Sequence, residues 1–152
     1  MGGLGFGFTL RAALDVAPDL TKVIVSEPSK TVVEWNRGTL ASLNGHALDD
    51  PRVTAVVGEV QHVLSAHRRG FDVVLLDLDN GPFAVDIDDD QSMYSLGGLS
   101  SVRASLRSHG RLAVLSAGTH PGFNKRLTEV GFTASVQYVG DGDSLVFIGD
   151  VS

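Results

Sequence analysis

Six residues near the start of the chain, Gly2-Gly3-Leu4-Gly5-Phe6-Gly7, stand directly before a segment with helical patterning. Glycine tolerates positive φ and lets a ligand approach the backbone closely, and a helix N-terminus offers N–H groups that have no intrahelical partner. The string fits neither of two familiar phosphate-binding patterns. In a G-x-G-x-x-G reading the third glycine would fall at Phe8 or Leu10, and no Gly-Lys-Ser/Thr follows. The spacing present is Gly3-x-Gly5-x-Gly7. Glu27 follows the apolar run Val23-Ile24-Val25, about 20 residues beyond the glycines, where a carboxylate can accept one hydrogen bond from each of two ribose hydroxyls. Glu59 follows Gly58 after the next such run, and Asp77 follows the one after that. Strand carboxyl ends line one crevice in an open parallel sheet, so Gly3, Glu27, Glu59 and Asp77 are expected to converge there.

The elements that must position these residues alternate. Residues 22–26, 53–57, 72–76 and 111–115 are short, continuous apolar runs, as expected of strands covered by helices on both faces. Between them the apolar spacing turns helical: Leu99, Val102 and Leu106; Phe123, Leu127 and Val130; Val32, Val33, Leu40 and Leu43, with Ser29 as a candidate N-cap. Arg11 to Val16 continues a helix that opens after the glycines. Phe132, Ala134, Val136 and Tyr138 alternate with polar residues, Gly140-Asp141-Gly142-Asp143 reads as a turn, and 145–148 returns as a β-hairpin. The expectation is one α/β domain over residues 1–152, with a mostly parallel sheet and a C-terminal antiparallel hairpin. A glycine turn of this kind normally follows a central strand, yet no residues remain ahead of Gly2 to form one. The chain therefore reads as N-terminally truncated. The strands at 22–26 and 72–76 are expected to pair directly, borrow a strand from a second copy, or leave the chain marginally stable.

Composition narrows the chemistry. The 152 residues include no Cys, which excludes disulfides, thiolate metal sites and a cysteine nucleophile. Twelve basic and 18 acidic residues give a net charge of −6, which disfavours a nucleic-acid partner and favours small cationic ones. No apolar run approaches the ~20 residues of a membrane span, and the N-terminus lacks a secretory signal, so a cytoplasmic protein is expected. His46, His62, His67, His109 and His120 show no i, i+4 pair of the metal-binding kind, and no Gly-x-Ser-x-Gly elbow exists.

The strings GGLGFGFTLRAAL, VSEP, LDDPRVTAVVGEV and FDVVLLDLDNGP together resemble the spermidine/spermine synthase family, and more closely its bacterial synthase-like branch. The resemblance runs from residue 2 to about residue 118. It implies the Rossmann-like three-layer sandwich of the class I methyltransferases, whose nucleoside sites share the Gly3-x-Gly5-x-Gly7 spacing. It also implies transfer of an aminopropyl group from decarboxylated S-adenosylmethionine to a diamine such as putrescine, with no metal. By position, Gly3, Gly5 and Gly7 would bracket the sulfonium side of the nucleoside, Glu27 would hold the ribose, and Glu59 would sit near the adenine amine. Asp77 would face the amine substrate, and Asp79, after a local shift from the family's base position, would help deprotonate it.

The chain also departs from the family. Its synthases carry an Asp inside the glycine loop where this chain has Gly5-Phe6, and an Asp-x-x-Asp-Pro where this chain has Asp77-Leu78-Asp79-Asn80-Gly81-Pro82. Asn80 falls at the base position and cannot take a proton at neutral pH. The family's N-terminal β-domain is not expected in a chain that opens at the glycine turn. Two alternatives therefore stand beside aminopropyl transfer: an S-adenosylmethionine-dependent methyltransferase on the same scaffold, and a non-catalytic nucleoside-binding domain. The acidic run Asp86, Asp88, Asp89 and Asp90 is either a solvated loop or a funnel for a cationic amine. Tyr94 is either a loop aromatic of the family or packing at a helix start, and Trp35 reads as core.

Overall fold

The computed structural model describes residues 1–78, 81–83, 85–89, 92–140 and 144–152. It divides into two compact units, Met1–Val60 and Gln61–Ser152.

In the first unit, helix α1 (Phe8–Val16) leads to strand β1 (Val23–Glu27), helix α2 (Lys30–Arg37) and strand β2 (Val53–Val57). β1 and β2 pair in parallel from Val23 opposite Val53 to Glu27 opposite Val57. Ser29 caps α2, its hydroxyl accepting the Val32 N–H at 3.3 Å, as its position before the apolar stripe suggests. The stripe itself ends sooner than its spacing predicts. Gly38 closes α2, so Leu40 and Leu43 fall in the turns that follow. Trp35 is 53% exposed rather than core, because the inward positions of α2 are taken by Val33 and Asn36. The core is Leu4, Leu10, Leu14, Val25, Val33 and Ala47. Each fully buried Leu or Val there stabilises by roughly 1.5–3 kcal/mol relative to exposure.

Ahead of the glycine turn the first three residues form an isolated bridge to β1 rather than a strand. Met1–Gly3 lie parallel to β1: the Met1 amine donates to Ile24 O at 2.7 Å, Ser26 N–H to Met1 O at 2.9 Å, and Gly3 N–H to Ser26 O at 2.9 Å. This short ladder occupies one edge of β1, and β2 pairs with β1 in parallel. Burial lowers the pKa of the Met1 amine to about 6.

In the second unit, helix α3 (Val60–Ala66), whose first residue belongs to the first unit, precedes β3 (Phe71–Leu76). Then come α4 (Leu96–Ser105), β4 (Leu106–Ser116), α5 (Phe123–Glu129), β5 (Thr133–Tyr138) and β6 (Leu145–Asp150). The sheet order is β3-β4-β6-β5, parallel between β3 and β4 and antiparallel across the rest. β5 and β6 form the expected hairpin, closed by the Val139 N–H on Ser144 O at 2.9 Å. Residues 141–143 of the expected turn lie outside the described residues. Leu106, read as part of a helical stripe, is instead the first residue of β4, which follows α4 without a loop. Phe123 anchors this core, meeting Tyr94 and Phe147 edge-on at centroid distances of 5.7 and 4.8 Å. Among the described residues no helix is long and apolar enough to cross a membrane.

Candidate functional site

The glycine loop turns from the Met1–Gly3 ladder into α1. Gly7 N–H donates to Leu4 O at 2.8 Å to close the turn, and Arg11 N–H donates to Gly7 O at 3.0 Å to open the helix. Leu4 is buried in the core and pins the loop from below. Gly5 and Gly7 both have positive φ, +50° and +83°, but for different surroundings. A Cβ on Gly5 would meet nothing within 4 Å, so the backbone there is open to approach. A Cβ on Gly7 would stand 2.5 Å from Asn36 Oδ1 and from Asn44 Nδ2. Gly7 is thus required by packing as well as by conformation.

Glu27, at the end of β1, reaches the loop directly. Its Oε2 accepts the Leu4 N–H at 3.1 Å, and its Oε1 accepts the Ser29 N–H at 3.0 Å. One carboxylate therefore ties the glycine loop to the start of α2, and each oxygen keeps a second lone pair. Sequence reasoning placed Glu27 here as a ligand group and missed this structural task.

It also missed two asparagines. Asn36 and Asn44 are each 1% exposed. Asn36 Nδ2 donates to Gly5 O at 2.8 Å and to Val32 O at 2.9 Å; Asn44 Nδ2 donates to Phe6 O at 3.0 Å and to Asn36 Oδ1 at 2.8 Å. Asn44 Oδ1 accepts the Ala47 N–H at 3.1 Å. Every amide proton and oxygen of the pair has a partner, and two of the partners are loop carbonyls. For Asn36 the signal in the sequence is a polar residue on the inward stripe of α2, and Asn44, in the turns that follow, carries no such signal.

Glu59 lies beyond the end of β2, next to that of β1. Gly58 N–H donates to Glu27 O at 3.0 Å and Ser26 Oγ donates to Gly58 O at 2.6 Å, which leaves Glu59 exposed at the neighbouring strand end. The first unit thus assembles Gly3, Gly5, Gly7, Glu27 and Glu59 on adjoining elements.

Asp77 is on the second unit, half-buried after β3, and lines an open cleft of about 240 Å³ with Ser116, Val139, Ser144 and Val146. Next in the chain, Leu78 O accepts Gly81 N–H at 2.9 Å and the Tyr94 hydroxyl at 3.2 Å. Gly81, at φ +75°, packs so closely on β4 that a Cβ would be 2.3 Å from Leu115 O. Asp79 and Asn80 lie outside the described residues. Tyr94 is buried, which favours the packing reading, with its hydroxyl spent on the loop. The acidic run is partly tied down: Asp88 pairs with Arg126 of α5, Arg126 also donates to Ile87 O, and Asp86 Oδ1 accepts Asp88 N–H at 2.9 Å. Asp90 lies outside the described residues. Among the described residues no group of three or more His, Asp or Glu is placed to hold a metal ion.

No protein-family model matches the chain. A polyamine aminopropyltransferase of Thermoanaerobacter sp. (strain X514) is 33% identical over 75 residues, 49% of this chain and 26% of the relative. Among solved structures, spermidine synthase from Thermotoga maritima superposes with a TM-score of 0.77 at 20% identity, covering 99% of this chain and 52% of that one. Human methyltransferase-like protein 13 in complex with SAH superposes at 0.76 with 16% identity, covering 99% and 70%. The chain thus spans about a quarter of the curated relative and about half of the synthase. The likeness to the spermidine synthase family read from the motifs is met in sequence over these 75 residues. The Rossmann-like methyltransferase fold is met over nearly the whole chain.

Proposed function

We propose that this chain binds an adenosyl nucleoside, S-adenosylmethionine or its decarboxylated form, and serves the transfer of an aminopropyl group to a small cationic amine. The observation that carries this reading is the hydrogen bond from Leu4 N–H to Glu27 Oε2, which joins a glycine turn at a helix start to a strand-end acid. The free lone pairs of Glu27 suit two adjacent ribose hydroxyls. The open side of Gly5 suits close approach of the sulfur-bearing part, with Gly3 and Gly7 shaping the turn around it. Exposed Glu59 suits the exocyclic amine of adenine.

When bound, the sulfonium supplies an electrophilic carbon, so the protein has to orient an amine and accept its proton as the new C–N bond forms and the C–S bond breaks. Asp77 is assigned to orienting the amine and Asp79 to taking the proton. One observation favours methyl transfer as a second reading: the loop carries Phe6, not an acid, where an aminopropyl ammonium would need a counter-charge.

The test is incubation with decarboxylated S-adenosylmethionine and putrescine, and separately with S-adenosylmethionine and an amine, with products resolved by chromatography. Methylthioadenosine and spermidine from the first support aminopropyl transfer. S-adenosylhomocysteine from the second supports the methyltransferase. Binding without either product makes the chain a nucleoside-binding module, and no binding in calorimetry overturns the proposal.

A further inference from the structure

Phe6 and Phe8 flank Gly7, are 63% and 57% exposed, and hold their ring centroids 6.4 Å apart with planes inclined by 36°. Phe usually sits inside, so two neighbouring rings this exposed at the tip of a glycine loop point to something they meet. The loop's inner side is already taken: Asn36 holds Gly5 O, Asn44 holds Phe6 O, and both asparagines are buried. The rings are therefore presented outward by a fixed backbone rather than left on a loose one.

The electrostatics of the loop explain what they would meet. Helix α1 begins at Phe8 with no acid in its first turn, so its positive end is offset by no first-turn carboxylate, and Glu27, the acid tied to the loop, is already engaged with the Leu4 and Ser29 N–H groups. A cation brought to this loop is repelled by that end unless negative potential is supplied nearby. Aromatic ring faces supply it, and with centroids 6.4 Å apart one cation can lie within the ~6 Å reach of both rings.

We infer that Phe6 and Phe8 form an aromatic seat for the positive sulfur of a sulfonium nucleoside. The inference rests on the nucleoside-binding reading and adds a specificity pair to it: the site favours the charged co-substrate over its neutral thioether product. After transfer the sulfur is neutral, the attraction to the rings is lost, and product leaves more readily than substrate.

The test compares S-adenosylmethionine with S-adenosylhomocysteine by calorimetric titration, because the two share nucleoside and amino-acid ends and differ by the methyl group and charge at sulfur. Wild type should favour the sulfonium ligand. Phe6→Leu/Phe8→Leu should lower that preference by roughly fivefold to tenfold while leaving S-adenosylhomocysteine affinity nearly unchanged. Phe6→Tyr, which keeps a ring, should retain the preference. Thermal melts confirm that the variants fold, and the single Phe6→Leu variant serves if the double one does not. Equal weakening of both ligands, or a wild type that binds both without preference, overturns the aromatic seat and leaves nucleoside binding standing. A wild type that binds neither overturns both.

Discussion

Asn44 donates an amide proton to Asn36 Oδ1 at 2.8 Å inside the first unit, and through this bond helix α2 and a later turn brace the glycine loop together. Asn36 comes from α2 and Asn44 from the turns before β2, so the loop's shape depends on residues 31 and 38 positions away. Buried amides are costly unless satisfied, and here the loop carbonyls Gly5 O and Phe6 O help satisfy them.

Asn36→Ala and Asn44→Ala should each destabilise the fold by about 1–3 kcal/mol, the cost of leaving a buried polar partner unpaired. The double variant should cost less than the sum, since both singles break the same bond. Urea denaturation of the three variants measures the coupling. Additive losses would mean that the pair does not act as a unit.

Gly7→Ala and Gly5→Ala should differ sharply although both sites have positive φ. At Gly5 only the left-handed conformation is taxed, by roughly 1–2 kcal/mol. At Gly7 the added methyl also collides with the asparagine pair, at 2.5 Å on either side. Thermal melts should therefore show a small drop for Gly5→Ala and a large one, or failure to fold, for Gly7→Ala.

Glu27→Ala removes an acceptor from two backbone N–H groups as well as from any ribose. Nucleoside affinity should fall by an amount on the order of 1.5–3 kcal/mol, the worth of hydrogen bonds to a charged group. Amide exchange at Leu4 and Ser29 should accelerate even without ligand, because their N–H groups lose Oε2 and Oε1. Unchanged affinity for methylthioadenosine would remove the ribose assignment while leaving the loop anchor intact.

Acid stability should carry the mark of Asp50. The Arg52 guanidinium and N–H beside it hold its carboxyl down at about 2, against an ordinary value of 3.8, and Arg52 in turn donates to Leu14 O and Ala17 O at the end of α1. Because the folded pKa is depressed, the stabilisation is complete above pH 3.8 and is lost as pH falls toward 2. Melting midpoints followed from pH 5 to pH 2 should fall less steeply for Asp50→Asn than for wild type.

Asp77→Asn should reduce turnover more than nucleoside affinity, since its assigned task is the amine. Asp88→Asn should instead lower stability slightly by releasing Arg126 from the loop. Initial rates set beside calorimetric affinities separate the two. An equal loss of rate and binding at Asp77 would argue for a structural role.

Residue types and short-range spacing were enough for the alternating strands and helices, for the Ser29 cap, for a helix opening at the glycines, and for acids at successive strand ends. Each of these is decided within a few residues, by β-branched runs, glycine dihedrals or a hydroxyl near a free N–H. Glu27 and Glu59 were legible as strand-end acids for the same reason. Which groups those acids touch was not, because the Leu4 N–H on Glu27 and the Asn36–Asn44 bond join residues 23 and 8 positions apart. Trp35 shows the limit plainly. Its apolar character argues for burial, but Asn36 beside it takes the inward position because the loop carbonyls need a donor there. Likewise the β5–β6 hairpin was readable from alternation and a turn, whereas the insertion of β6 between β4 and β5 was not. Strand order and the pairing of buried polar groups follow from which distant surfaces fit together, and only the tertiary structure decides that.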